Sequence, residues 1–388
     1  MSTPARRLYL HIGLPKTGTT SMQEILWRNR TSLAEAGLTY PGRDSGAQHR
    51  ATVDLLSYRY RTWTGTSTTG AWEWLLDQAA AAPGDVLISS ELLAPAEPAD
   101  VARVFAALSF AEVHVVCSAR DLLRQIPSVW QEDVKNRRTD HFTEFVGRIR
   151  EGRQAPAGDL FWSYQDLPRV LGAWTRELPA DRVHVVTVPR PGAPADLLWQ
   201  RFATAVGIDP ARYDTTVPPH NTSLDLAQTE MLRMLNAALG DSVPWAEYVR
   251  VVKGHLAEDV LPGLRGASRI GLSAQDREWA AHTAREMADE VAAAGYHVVG
   301  DLADLVPDPA RGPDPADVGS AEIAEVAVQA LAEIVRRAAK VPTDGPAQAL
   351  RRFLFDLSEQ HEQVMAVRKV YWRAKERLQQ AADKVRRG

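Results

Sequence analysis

The 388-residue sequence predicts an α/β protein built on a parallel, doubly wound sheet flanked by helices. Three observations carry that prediction. Four short runs are continuously apolar or β-branched, as strands covered on both faces are: 8–12 (LYLHI), 86–89 (VLIS), 113–118 (VHVVCS) and 183–188 (VHVVTV). Segments with helical spacing of apolar residues lie between them. Strands that alternate with helices pair in parallel through crossovers, and such sheets bind ligands beyond the carboxyl ends of their strands.

The first run leads into a turn, GLPKTGTT, and then into a helix marked by Met22, Ile25, Leu26 and Leu33 and ended by Gly37. Further helices are expected at 70–82, 99–109, 120–136, 166–177 and 194–206, and His49 falls in a loop or helix start. Past about residue 222 the pattern is wholly helical, at 224–240, 244–257 and 273–294. The stretch PDPARGPDPADVG, 307–319, reads as a linker, 320–340 as one more helix, and VPTDGP, 341–346, as a second break. The expected organisation is an α/β domain over 1–306, the linker, and a helical extension over 320–388.

That extension carries a heptad. Leu350, Leu357, Val364, Tyr371, Leu378 and Val385 recur at sevens, with Phe353, Gln360, Val367, Ala374 and Ala381 three residues on. Residues 366–388 hold eight basic side chains against two acidic. Three readings stay open for it: a solvated helix packed on its own domain, a homo-oligomer formed through 345–388, or peripheral contact with a membrane.

Hydrophobic residues make up 45% and charged residues 24%, which excludes a disordered chain or a collagen-like fibre. A net charge of −4 argues against nucleic acid as a partner but leaves room for a local anion site. Cys117 is the single cysteine, so there is no intrachain disulfide framework and no multi-cysteine metal site. No apolar run reaches the roughly 18 residues of a membrane span, and MSTPARRLYLHIG lacks the apolar region of a signal peptide. A cytoplasmic protein is the expectation. Only seven of the 45 basic residues are lysine, so a lysine inside a motif is pointed: it is a compact point charge where this chain otherwise uses a planar fork.

Two segments carry chemistry. Gly13-Leu14-Pro15-Lys16-Thr17-Gly18-Thr19-Thr20-Ser21 lies between a strand and a helix, where backbone N–H groups and the positive helix end converge on an anion. Against the pattern G-x-x-x-x-G-K-[ST], both glycines and Thr20 fit, but Thr19 stands where the lysine belongs and Lys16 comes three positions earlier. That departure argues against ATP as a phosphoryl donor. The second segment follows the strand VHVVCS: Arg120 sits at its carboxyl end, and Ser128 lies about two helical turns on. An arginine and a hydroxyl so spaced can hold a second phosphate, distant from the first.

Together these residues resemble the sulfotransferases that use 3′-phosphoadenosine 5′-phosphosulfate (PAPS). Pro15 through Thr20 look like that family's 5′-phosphosulfate loop, and Arg120 with Ser128 like its 3′-phosphate pair. The resemblance implies a P-loop-like fold, no obligatory metal, and transfer of a sulfuryl group to a hydroxyl or amine. It also implies that Lys16, Thr17, Gly18, Thr19 and Thr20 cradle the 5′-phosphate, with Ser21 beside them. The proline usual after Arg-Asp is Leu122 here, and R-K-G-x-x-G-D-W is absent, leaving His220-Asn221-Thr222-Ser223 as a candidate cover for the nucleotide. The alternative reading of that stretch is an N-cap by Thr222 or Ser223 for the helix that follows.

For a general base, Glu91 in Ser89-Ser90-Glu91 emerges after the VLIS strand at the same sheet edge as the loop, and His49 is a second candidate. His11, inside the first strand, reads as structural. Tyr58, Tyr60, Trp63, Trp72 and Trp74 could line an apolar acceptor cleft or serve as packing, and a small-molecule, sugar or lipid acceptor is equally compatible with them. Two rivals remain open: a P-loop kinase using ATP, and a nucleotide-binding scaffold without catalysis.

Overall fold

The structure, a computed structural model, describes residues 6–64, 67–153, 160–176, 178–216, 223–264, 268–315 and 318–340. Its centre is a six-stranded sheet of β1 (Arg7–His11), β2 (Leu38–Thr39), β3 (Asp85–Ser89), β4 (Glu112–Ala119), β5 (Val183–Thr187) and β6 (His297–Val299). The order is β2-β3-β1-β4-β5-β6 and every pairing is parallel. The four runs read from sequence are the four inner strands. The edge strands β2 and β6 span two and three residues, too short to leave a periodicity in the sequence.

Fourteen α-helices are described: α1 (Thr19–Arg28), α2 (Arg30–Glu35), α3 (Ala47–Leu55), α4 (Ala71–Ala81), α5 (Pro98–Ala107), α6 (Leu122–Lys135), α7 (Phe142–Gly152), α8 (Leu160–Gln165), α9 (Leu167–Trp174), α10 (Leu197–Ala205), α11 (Leu226–Leu239), α12 (Trp245–Tyr248), α13 (Ala274–Ala293) and α14 (Ser320–Lys340). Strand alternation divides the core into two layers. Leu8, Leu10 and Ile12 pack with residues of α3, α4, α5 and α9, whereas Tyr9, Leu87, Val116 and Val186 pack with α1, α2 and α10. From β1 the chain moves to the β2–β3 side and then returns across β1 to β4. The carboxyl ends of β1 and β4 therefore flank the point where the direction of winding reverses, which is where an open α/β sheet has its crevice.

Three expectations change. The single first helix is two, because the Asn29 amide donates to the Ile25 carbonyl (2.9 Å) and to that of Asp214 (2.8 Å), competing with the helical ladder. The helix expected at 244–257 is the four-residue α12 followed by a π-helix, Val249–Val260. The cap of α11 is Asp225, which accepts from the Gln228 amide at 2.8 Å, rather than Thr222 or Ser223.

Part of the 307–319 stretch is packed: Arg277 of α13 donates to the carbonyls of Pro309 and Pro313 and to the Asp314 carboxylate. Two compact units divide the chain, Met1–Ala330 and Leu331–Gly388, and every candidate site residue belongs to the first. The heptad over 350–385, the 345–388 segment and His220 through Thr222 lie outside the described residues. Among the described residues no helix is long and apolar enough to cross a membrane.

Candidate active site

The loop after β1 is shaped by three left-handed residues: Gly13, Lys16 and Gly18, with φ of 87°, 66° and 90°. For Lys16, a residue with a Cβ, this costs about 1 kcal/mol or more, and such strain persists where surrounding contacts impose it. The result is a curl of backbone N–H groups at the positive end of α1. Among the described residues, the amides of Lys16 and of Gly18 through Ser21 meet no acceptor, while Thr17 closes a turn onto Leu14. That is the arrangement of an anion cradle. Thr19 is buried, while Thr20 and Ser21 are exposed at the opening of α1.

Beneath the loop runs a buried polar chain across three strands. Ser89 Oγ meets His11 Nδ1 at 2.8 Å, His11 Nε2 meets Ser118 Oγ at 3.0 Å, and Ser118 Oγ meets Thr17 Oγ1 at 2.9 Å. Burial pushes the His11 pKa down to about 3, so the ring is neutral and works as a tie between strands. Thr17 also donates to the Leu14 carbonyl. Its side chain is thus used below the loop, where it holds the turn in place.

Arg120 follows β4, next to β1 in the sheet. Its guanidinium donates from Nη2 to Ser128 Oγ (2.8 Å) and to the Arg124 carbonyl (2.9 Å), and from Nε to Gln125 Oε1 (2.9 Å). The structure thus brings the predicted pair into direct contact. Burial and then the neighbouring Arg124 lower the Arg120 pKa to about 10, although Asp121 opposes the shift. The Arg124 guanidinium donates from Nε to the Asp121 carboxylate and from Nη1 to the Pro189 carbonyl (3.0 Å), and its Nη2 is buried without a hydrogen-bond partner. A largely buried arginine and an orphaned guanidinium N–H one helical turn away in sequence are groups that an anion would complete.

Gln125 couples the two positions. While its Oε1 accepts from Arg120, its Nε2 donates to the Pro15 carbonyl of the loop and to Gln165 Oε1 at 2.8 Å. Neither glutamine carries a signal in the sequence, since each sits in a helix where a polar residue ordinarily faces water.

Glu91 opens a short 3₁₀ turn after β3 and is packed against the loop: a Cβ added to Gly13 would lie 2.6 Å from Glu91 Cβ. Gln23 of α1 donates to Glu91 Oε2 at 2.9 Å, which aims the carboxylate. His49 lies in the first turn of α3 and is exposed to solvent. Desolvation lowers its pKa, Glu91 opposes that shift, and Lys253 and Arg50 add to it. Trp63 stacks on His49 at 5.7 Å between centroids and on Tyr60 at 5.4 Å. Of the five aromatics singled out, Trp63 is the one in ring contact with His49. Tyr60 is anchored to the Leu92 carbonyl, Trp72 is buried in the core, Trp74 packs on it beneath Arg43, and Tyr58 bonds Asp100.

Lys16 is held by Glu132 of α6, with Nζ 2.7 Å from Oε2, and Lys253 of the π-helix sits 2.7 Å from Oε1 of the same carboxylate. Although burial opposes it, the two ammonium groups hold Glu132 well below the usual carboxylate range. Glu132 and Lys253 were invisible in sequence except through the rarity of lysine.

No protein-family model matches the chain, and no curated protein matches it. A solved structure similar to it is that of a sulfotransferase from Alicyclobacillus acidocaldarius, at 16% identity and a TM-score of 0.38, over 64% of this chain and 96% of that one. A likeness of that degree carries no functional argument; the site is read from its own geometry.

Proposed function

We propose that this chain is a sulfotransferase that moves a sulfuryl group from PAPS to a hydroxyl or amine of a small-molecule, sugar or lipid acceptor. The observation that carries the reading is the coupling of two anion positions through Gln125: the open amides and Lys16 after β1, and Arg120 with Ser128 after β4. A nucleotide with phosphates at both its 5′ and 3′ positions presents two anions to such a pair. Thr19 in place of the lysine of a phosphoryl-transfer loop weighs against the kinase alternative.

In this reading Pro15 through Ser21 supply the 5′ cradle, and Arg120, Ser128 and the Arg124 N–H supply the 3′ grip. Glu91 removes the acceptor proton as the new bond to sulfur forms, worth about 10²–10⁴ in rate. Lys16 and the loop amides hold the charge that gathers on the departing 5′-phosphate as the old sulfur–oxygen bond breaks. His49 and Trp63 border the acceptor side.

The test is thermal stability with 3′-phosphoadenosine 5′-phosphate against ADP plus magnesium. A ligand at a hundred times its Kd adds about 2.7 kcal/mol, a shift of several degrees. Stabilisation by the bisphosphate alone supports the reading. Stabilisation by ADP plus magnesium alone returns the chain to the kinases, and no shift with either favours a scaffold.

A further inference from the structure

Before residue 340 the chain contains three lysines among its basic residues: Lys16, Lys135 and Lys253. They come from the β1 loop, the last turn of α6 and the π-helix; Lys16 and Lys253 converge on Glu132, and Lys135 lies three residues beyond it in α6. Lys16 and Lys253 bond its two oxygens, Lys253 also donates to Asn136 Oδ1 at 2.8 Å, and Lys135 is buried nearby. Burial lowers the Lys135 pKa, Glu132 and the exposed Glu258 oppose the shift, and Lys16 and Lys253 add to it. Counting those two glutamates, the cluster keeps one positive charge in excess. A chain that elsewhere uses arginine has placed compact ammonium groups together at the mouth of its anion loop, where several must approach one small group from different sides.

The Glu132 carboxylate holds the Lys16 and Lys253 ammonium groups on its two oxygens, a spacing close to that of two oxygens on one tetrahedral oxyanion. Lys253 is presented from a π-helix, a conformation found preferentially at functional sites. On the proposed function, we infer that Lys253 is a further catalytic residue that contacts the sulfuryl oxygens of the donor. It leaves Glu132 to do so, while Lys16 serves the 5′-phosphate and its bridging oxygen. The helical segment after residue 226 thereby supplies part of the reaction centre.

The experiment compares two probes that differ by that group: 3′-phosphoadenosine 5′-phosphate and PAPS, titrated calorimetrically against the full chain. Lys253→Met is expected to weaken PAPS about 10- to 100-fold, the range of a charged hydrogen bond, while leaving the bisphosphate within about twofold. Lys16→Met is expected to weaken both. Release of sulfate from PAPS with water as acceptor gives a second readout, expected to fall with Lys253→Met. Circular dichroism and melting temperature check folding, and Lys253→Gln, which removes the charge but keeps an N–H for Glu132, is the variant to use if the methionine protein does not fold. Equal losses for both probes, or none for either, overturn the inference and leave the donor assignment standing. Failure of the wild-type chain to bind the bisphosphate removes the donor assignment itself, and the inference with it.

Discussion

Gly13 and Glu91 compete for one small volume: a methyl on Gly13 would lie 2.6 Å from Glu91 Cβ and 2.9 Å from its Cα. The loop proposed as the anion cradle and the turn that carries the candidate base are therefore in close contact. Gly13 also holds φ of 87°, a region that penalises any residue with a Cβ. Gly13→Ala is expected to destabilise the protein by about 2 kcal/mol or more and to weaken the bisphosphate. Urea unfolding and calorimetry check this; an unchanged midpoint would mean that the contact relaxes freely.

Glu91→Gln keeps the hydrogen-bonding shape of the side chain but cannot take a proton. It is expected to lower turnover about 10²- to 10⁴-fold with bisphosphate affinity preserved. His49→Gln is expected to change turnover less than about tenfold, since His49 is the border of the cleft in this assignment. The reverse ranking would move the role of base to His49.

Arg120→Ala should distinguish the two ends of the nucleotide. Binding of 3′-phosphoadenosine 5′-phosphate is expected to fall about 10- to 100-fold, and binding of adenosine 5′-monophosphate to stay nearly constant. An equal loss for both would place Arg120 at the 5′ end instead.

Two buried histidines tie stability to pH. Burial lowers His11 to about 3, and burial together with His114 and His297 lowers His184 to about 4. Both values lie below the ordinary 6.5, so between 6.5 and those values the unfolded chain binds more protons. Their contribution is complete above pH 6.5 and declines as the pH falls, by up to about 1.4 kcal/mol per pH unit for each ring. Urea midpoints between pH 7.5 and 4.5 should therefore fall with acid. His11→Asn should flatten the profile, and a slope unaltered by that change would remove His11 from the account.

Asp133 is the opposite case. Burial raises its pKa to about 6 against the pull of Arg138 and Arg148, with Glu132 and Asp140 adding to the rise. A raised carboxyl costs stability once ionised, so the penalty is absent below about pH 4 and complete above about pH 6. Asp133→Asn is expected to stabilise the protein by about 2 kcal/mol at pH 8 and to have little effect at pH 4. Melting curves at the two values decide it.

Much of this molecule was legible in its residues. Burial on both faces leaves continuous apolar runs, and these located β1, β3, β4 and β5 within a residue or two of their ends. The Gly13–Ser21 loop and the Arg120–Ser128 pair were readable because each lies within one local segment, at the end of a strand that could itself be recognised. What the sequence by itself determined is therefore the four inner strands, the crevice at their carboxyl ends, and the two segments proposed to hold anions there.

Tertiary structure decided which side chains complete them. Gln125 reaches Pro15 across 110 residues, Glu132 reaches Lys16 across 116, and Lys253 reaches Glu132 across 121. In a helix, a glutamine, glutamate or lysine off the apolar stripe carries the same periodic signature whether it faces water or a second helix. Only the packing of α6 beside the loop after β1, and of the π-helix beside α6, turns those positions into a half-buried cluster of charge. Local pattern records the period of an element, but the partner of a polar face is set by which element the fold brings against it.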